Sequence, residues 1–258
     1  MREGTELVRL KNQTAIVTGG SQGIGEAIAR RYAAEGAKVA IVNRTAGRGE
    51  AIADSIRKGG GEASAFAADL SKVAEIDRVV AAVLDAYGAV DILVNNAGAY
   101  FLSELGKTNE AEFDAMLATN IKGVFFLCQA LLPEFERRGR GKIINIGSIF
   151  GQSGFPGSAG YCGTKAAIHL MTKTMGIELR ERNIQVNAIA PGFTETPLNE
   201  GYRATNEEWM RRADERFGGP GVWMKPEELA GAAVFLASSD SDSVTGTVVF
   251  VDRGWSAY

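Results

Sequence analysis

The sequence is poor in the side chains that build metal and redox sites: one histidine, His169, and two cysteines, Cys128 and Cys162, among 258 residues. Two scattered cysteines cannot form a disulfide framework, and with a single histidine they leave no soft-metal ligand set, so no metal is expected. His169 falls four residues after Lys165 on a predicted helix and reads as a packing or solvent-facing residue. Charge of one sign is missing too. A formal charge of −3 and a pI of about 5.5 give no electrostatic footprint for nucleic acid or an anionic membrane. The local cluster Arg137, Arg138, Arg140 and Lys142 sits where one predicted helix ends, a place where the helix dipole favours cations. No apolar run approaches the ~20 residues that span a bilayer, and Met1–Lys11 has no signal-like apolar core. With the sparse cysteine, these absences predict a cytoplasmic protein without a membrane partner. No linker rich in Pro, Gly or Ser, no repeat and no composition break divides the chain. One domain over residues 1–258 is expected, a length that suits a large α/β unit.

What is present is an alternation. Short β-branched runs recur at Thr14–Thr18, Val39–Asn43, Ala63–Ala68, Asp91–Asn95, Lys142–Gly147, Ile184–Ala190 and Thr247–Val251. Between them, Val73, Ile76, Val80, Leu84 and Tyr87 follow helical spacing, as do Phe113, Leu117, Val124, Leu127 and Leu131. Strands that are apolar throughout, separated by amphipathic helices, imply a parallel seven-stranded sheet covered by helices on both faces. Right-handed crossovers make it doubly wound, and ligands then bind beyond the carboxyl ends of the strands. Small and polar residues cluster at those ends: Thr18-Gly19, Asn43-Arg44, Asp69-Leu70, Asn96-Ala97-Gly98, Ser148 and Pro191-Gly192.

Thr18-Gly19-Gly20-Ser21-Gln22-Gly23-Ile24-Gly25 follows the first strand and opens a helix. Glycines there let the backbone approach a pyrophosphate, which the helix N-terminus attracts through free N–H groups. The second strand ends in Asn43-Arg44 rather than in a carboxylate. A 2′-phosphate is then not repelled and an arginine fork can pair with it, so NADP(H) is expected over NAD(H). Tyr161 and Lys165 stand four residues apart, on one helical face. A cation close to a phenol lowers its pKa and lets it exchange protons near neutrality. Asn120 lies in the apolar stripe of a long helix, as a satisfied structural amide or as one that holds a water beside a lysine. Ser148 could steady a substrate oxygen. As a nucleophile it would lack a base, which disfavours hydrolase chemistry.

Thr18-Gly19-x₃-Gly23-x-Gly25, Asn95-Asn96-Ala97-Gly98, Asn120, Ser148, Tyr161-x₃-Lys165 and Pro191-Gly192 appear in order, and from about Leu10 to Gly254 the chain resembles the short-chain dehydrogenase/reductases. The resemblance implies a Rossmann-type fold and an oxidoreductase that moves a hydride between a nicotinamide cofactor and a carbonyl or secondary alcohol. It makes Tyr161 the general acid/base, with Lys165 tuning it and holding the nicotinamide ribose. Ser148 becomes the substrate-oxygen ligand and Asn120 the holder of a proton-relay water. Gly19, Ser21, Gln22, Gly23, Ile24 and Gly25 would cradle the pyrophosphate, Asp69 and Leu70 meet adenine, and Asn96, Ala97 and Gly98 line the adenosine ribose side. Pro191, Gly192, Thr194 and Thr196 would meet the nicotinamide carboxamide and the phosphates.

Two positions depart from the family pattern. Thr194 replaces an aliphatic residue, and Arg253 replaces a turn glycine, so the local turn, a subunit contact or the substrate mouth can differ there. The aromatic-rich segment 193–225 is expected to be a mobile lid without a sheet element. Phe150, Gln152, Phe155, Phe193 and Trp209, with Tyr100, line the predicted substrate mouth. Candidate substrates are 3-oxoacyl thioesters, cyclic ketones and sugars. The alternatives are an NAD(H)-dependent polyol or cyclic alcohol dehydrogenase, and a dinucleotide-binding sensor without chemistry. The resemblance also implies a homotetramer, or a homodimer.

Overall fold

Alternate residues of a strand face opposite sides of a sheet, and the apolar strands here use both sides. The structure is a computed structural model that describes residues 8–215 and 223–257, apart from the Ala46 side chain. Phe217 and the Gly218-Gly219-Pro220-Gly221 turn of the predicted lid lie outside the described residues, as do the first seven residues of the Met1–Lys11 segment. The strands are β1 (Thr14–Thr18), β2 (Lys38–Asn43), β3 (Glu62–Ala67), β4 (Ile92–Asn95), β5 (Gly141–Ile146), β6 (Ile184–Pro191) and β7 (Val248–Val251). They pair in parallel, in the order β3-β2-β1-β4-β5-β6-β7. The connections carry α1 (Gly23–Ala34), α2 (Ala46–Lys58), α3 (Val73–Tyr87), α4 (Glu110–Leu117), α5 (Val124–Arg138), α6 (Ala159–Leu179), α7 (Glu200–Thr205), α8 (Glu207–Glu215) and α9 (Glu227–Ala237).

The pleat separates two cores. Ala15, Val17, Val39, Ile41, Ile92 and Val94 meet α1, α2 and α9 on one face. Their neighbours Ile16, Ala40, Val42, Leu93, Ile143 and Val186 meet α3, α5 and α6 on the other. Burial of each such side chain contributes roughly 1.5–3 kcal/mol, so a register slip of one residue in any strand would exchange the two layers. The seven strands match the predicted runs to within a residue or so at each end, in a doubly wound, Rossmann-type sheet. From β1 the chain runs outward through β2 and β3, and from β4 it runs the other way. The crevice at that reversal is where the strand-end residues gather.

Two sequence readings change. The basic cluster is more than a solvated helix end: Arg138 and Arg140 both pair with the buried Asp91, at 2.6 and 2.9 Å. Arg137 pairs with Glu134 and Lys142 with Asp242, so these charges are neutralised within the fold. The other concerns the apolar runs. The continuous helical stretch Glu110–Arg138 is, by length and composition, apolar enough to cross a membrane, with a mean hydropathy of 1.5 over its best window. Counting uninterrupted apolar residues missed it. In the structure its inner face, Val124, Leu127, Leu131 and Phe135, covers the sheet, the position of a core helix.

Arg253 keeps the backbone that a glycine would adopt, with φ at +53°. Such a conformation costs a non-glycine residue on the order of 1–3 kcal/mol. Its guanidinium reaches Glu228 at the start of α9, at 2.9 Å. The turn is preserved and the departure is absorbed by a surface ion pair.

Candidate active site

The glycine-rich turn is shaped by close backbone approach. Gly19 has φ +63°, and a Cβ on Gly25 would lie 2.4 Å from the Gly19 carbonyl oxygen and 2.3 Å from Asn96 Nδ2. Only hydrogen fits between α1 and the turn. The ends of β1 and β4 are stitched together around it. Thr18 Oγ1 donates to the Val94 carbonyl and accepts from the amides of Asn96 and Ala97, at 2.9–3.1 Å. Asn96 Nδ2 donates to the Thr18 carbonyl at 2.9 Å. Helix α1 begins after Gln22 with no side chain capping its first amides, so free N–H groups and the positive end of the dipole open onto a groove.

That groove unites most of the predicted cofactor residues. Ser21, Gln22, Gly23 and Ile24 form one wall, Asn43, Arg44, Asp69 and Leu70 the far end, and Asn96, Ala97, Gly98 and Thr196 the other wall. Gly25 is the packing glycine beneath. Asn43 Nδ2 donates to the Thr45 carbonyl, while Asn43 Oδ1 is buried with no partner among the described residues. A buried acceptor left unpaired costs about 1–3 kcal/mol. The Asp69 carboxylate, held below its ordinary pKa chiefly by the Ser71 hydroxyl, accepts from that hydroxyl at 2.7 Å. Arg48, not singled out from sequence, also lines the groove and donates to Gln22 Oε1 at 3.1 Å. Its position in the first turn of α2, shortly after Arg44, was the available signal. The uncapped helix start and the two arginines fit the phosphates of a dinucleotide.

A second cleft continues from this groove, sharing Ile24 and Thr196 with it. Ser148, Phe150, Tyr161, Lys165, Phe193 and Trp209 line it, together with Tyr100 and the Pro191-Gly192-Thr194 strand end. The Ser148 hydroxyl, which accepts from the Phe150 amide at 3.1 Å, lies near enough to Tyr161 to lower its pKa. Lys165 Nζ donates to the Ile146 carbonyl at 2.7 Å and lies 5.6 Å from the centroid of the Tyr161 ring. Burial lowers the Lys165 pKa to about 8.

The expected depression of the phenol is absent from this arrangement. Burial raises the Tyr161 pKa, Tyr100 adds to the rise, and the Ser148 hydroxyl only partly offsets it. A phenolate deprived of water costs more than an ammonium above the ring and committed to a carbonyl returns.

Asn120 is similarly reassigned. It sits in a π-helical turn, Ala118–Gly123, between α4 and α5. Its Oδ1 accepts from the Ala99 amide at 2.8 Å, and its Nδ2 donates to the Ala99 carbonyl and to Thr164 Oγ1 at 2.9 and 3.1 Å. Both Nδ2 hydrogens and one lone pair of Oδ1 are used in tying the strand-end loop to α6.

His169 is buried rather than exposed, and its Nε2 accepts a long hydrogen bond, 3.5 Å, from the Ser148 amide. Burial and the nearby Lys165 lower its pKa to about 4, so it is a neutral acceptor. A Cβ on Gly147 or Gly151 would fall 2.4 or 2.5 Å from the ring. Tyr161, Lys165 and His169 at i, i+4 and i+8 share one face of α6, and that spacing was the legible signal for its location.

The predicted mouth residues divide. Phe155 stacks behind Phe150 at 4.8 Å, and Gln152 is exposed; neither lines the cleft, because the 3₁₀ turn after Ser148 directs only Ile149 and Phe150 into it. Thr194 Oγ1 donates to the Gly192 carbonyl at 3.1 Å, so its hydroxyl is used locally. The segment 193–225 is not without sheet pairing. Thr194 and Met224 form a bridge that closes the base of the segment, and the short helices α7 and α8 stand on it. Trp209 on α8 is buried among Phe155, Phe193, Tyr202 and Trp223.

A sequence model of the family described as short chain dehydrogenase matches residues 13–207. The chain is 39% identical over 251 residues to 3beta-hydroxysteroid dehydrogenase 1 of Eggerthella lenta, across 96% of this chain and 95% of that protein. It is 36% identical over 249 residues to a 3-oxoacyl-acyl-carrier-protein reductase of Thermotoga maritima, across 96% and 99%. Among solved structures, a gluconate 5-dehydrogenase from Burkholderia cenocepacia, in complex with NADP and tartrate, superposes with a TM-score of 0.90 at 34% identity, covering 98% of each chain.

Proposed function

The chain belongs to the short-chain dehydrogenase/reductase family of oxidoreductases, and from that membership we propose that it transfers a hydride between NADP(H) and a carbonyl or secondary alcohol, as a single-domain cytoplasmic carbonyl reductase that assembles as a homotetramer. The observation that carries the reading is the convergence of Ser148, Tyr161 and Lys165 in one cleft that opens into the glycine-turn groove through Ile24 and Thr196.

The bound dinucleotide supplies or accepts the hydride at its nicotinamide ring. The protein's own residues supply the rest. Tyr161 gives its phenolic proton to the substrate oxygen in reduction; in oxidation the hydroxyl proton would pass to its phenolate, once that has formed. Its raised pKa keeps it a proton donor through neutral pH. Ser148 orients that oxygen against the phenol, and the buried Lys165 ammonium favours negative charge on the pair as the proton moves. The free amides after Gln22 receive the pyrophosphate, and Arg44 with Arg48 favour a 2′-phosphate at the groove's far end. The α7–α8 cover opens to admit substrate and closes to exclude water.

A panel of ketones and alcohols read at the nicotinamide absorbance, with both cofactors, tests the reading. NADP(H) is expected to give the higher kcat/KM. Arg44→Ala is expected to reduce that preference by about tenfold or more, and Tyr161→Phe to abolish turnover while cofactor still binds. An NAD(H) preference in the unaltered enzyme would overturn the cofactor assignment, and near-normal kcat in Tyr161→Phe the chemistry.

A further inference from the structure

The cleft beside Tyr161 is walled by rings. Tyr100 meets Tyr161 edge to face at 4.8 Å, Phe150 meets it at 6.4 Å, and Phe193 and Trp209 complete the wall at 5.8 Å from each other. Among the described residues that line it, Lys165 is the one formal charge, and its ammonium is already held by the Ile146 carbonyl. Arg203 of α7 stands outside the wall, 5.4 Å over the Trp223 ring and within 4.0 Å of Glu195. Among the described residues, the cleft therefore offers no arginine fork to a carboxylate, sulfonate or phosphate.

Its polar side chains are also committed to the protein. Tyr100 OH is paired with Ser158 Oγ at 2.9 Å and receives Trp209 Nε1 at 3.3 Å. Thr194 Oγ1 serves the Gly192 carbonyl. Asn199 donates to the Thr194 carbonyl at 2.8 Å and accepts from the Thr196 amide at 3.3 Å. Apart from the Thr196 hydroxyl, at the border with the cofactor groove, that leaves Ser148 and Tyr161 as the polar point for a substrate, suited to one oxygen. Each additional hydroxyl of a polyol would lose its water without replacement, at about 1–3 kcal/mol each, and a carboxylate would lose more.

Resting on the hydride-transfer reading above, we propose that the physiological substrate is an uncharged ring ketone, or the corresponding secondary alcohol, whose carbocycle lies against Tyr100, Phe150, Phe193 and Trp209. A rigid apolar ring matches such a wall because it brings area without flexible bonds to immobilise, and the aromatic wall exchanges its surface for that of water. The described lining disfavours a sugar acid by the same physics, since it would bring a carboxylate and several hydroxyls to one polar point. Trp209 is the specificity-determining residue, since it reaches the wall from the covering helix and is fixed there by Tyr100.

The test uses the full chain with NADPH and a pair of ketones that share one ring: 4-methylcyclohexanone and 4-oxocyclohexanecarboxylate, with 5-keto-D-gluconate and an acetoacetyl thioester alongside. The neutral ring is expected to exceed the charged ring in kcat/KM by about 100-fold. Trp209→Ala is expected to lower kcat/KM for the neutral ring about tenfold or more, chiefly through KM, with the Kd for NADPH unchanged. Faster turnover of the charged ring, the keto acid or the thioester would overturn the substrate class and leave the hydride-transfer reading standing. Binding of NADPH with no turnover of any of the four would overturn that reading, and this one with it.

Discussion

Burial holds the Lys165 ammonium near a pKa of about 8, so in the free enzyme its charge disappears as pH rises through that value. Tyr161 stays protonated across the same range, and His169, lowered to about 4, stays neutral. Because kcat/KM reports groups of the free enzyme, ketone reduction is expected to be level from about pH 6 to 7 and to fall above about 8. In Lys165→Arg, whose guanidinium does not deprotonate, whatever rate survives should lack that limb. A limb at the same pH in the variant would assign it elsewhere. The effect on stability has the opposite sense. The folded pKa lies below the unfolded value, so the unfolded chain binds the extra proton between the two, and this group's contribution to stability rises as pH rises from about 8 to 10.5. His169 supports the second measurable claim. Its ring accepts from the Ser148 amide and fills the notch left by Gly147 and Gly151. His169→Ala is expected to lower kcat about tenfold by loosening Ser148 while the cofactor Kd stays within about twofold; equal losses in both would mean a general structural role. The Tyr161–Lys165 pair was legible because a four-residue spacing needs only a helix. The Lys165–Ile146 contact and the raised phenol were not, since the first depends on the end of β5 and the second on burial beside Tyr100, both distant in sequence.

The cofactor turn and the long helix before α6 show how far pattern reaches at the level of elements. Strands that are apolar on both faces declare themselves, and β1 to β7 did so. The π-helical turn at Ala118–Gly123 did not, because Ala, Thr, Asn, Ile and Lys carry no composition that separates π from α hydrogen bonding, and the turn is selected by Asn120 bonding to Ala99 across the loop. The bridge between Thr194 and Met224 was hidden for a related reason: it joins residues 30 apart through one pair rather than a run. The glycine spacing, by contrast, was legible and has a mechanical cause. With the Gly19 carbonyl 2.4 Å from where a Gly25 Cβ would sit, Gly25→Ala must separate α1 from the turn, and the contact is backbone, which cannot rotate away. Titration of protein fluorescence with NADPH is expected to show affinity reduced at least about tenfold, with melting shifted down. Unchanged affinity would mean that the turn does not hold the pyrophosphate.

At the scale of the whole molecule, the catalytic helix has two faces with different solvents. One carries Tyr161, Lys165 and His169 inward; the other carries Leu170 and Ile177, each 66% exposed. Phe113 on α4 and Phe125 on α5 are exposed beside it. Strand β7 closes the sheet as an edge of four apolar residues, each only half-buried. An apolar edge strand left open to water is a site for unwanted pairing, and apolar side chains at these positions on adjoining helices form a patch of the kind that marks an interface. Both features are accounted for if α4, α5 and α6 meet the same helices of a second copy, and β7 lies in a separate contact, which together close a tetramer with two kinds of interface. Light scattering after gel filtration is then expected to give four times the 27.4 kDa chain mass. A charge in the helical face, Ile177→Asp, should halve that mass rather than unfold the chain, since the side chain is exposed in the subunit. If that contact stiffens α6 from its outer side, the smaller species should also melt lower and turn over more slowly, with Tyr161 and Lys165 still in place. A monomer in the unaltered protein at micromolar concentration would remove the basis for both effects, and the exposed face of α6 would then need another occupant.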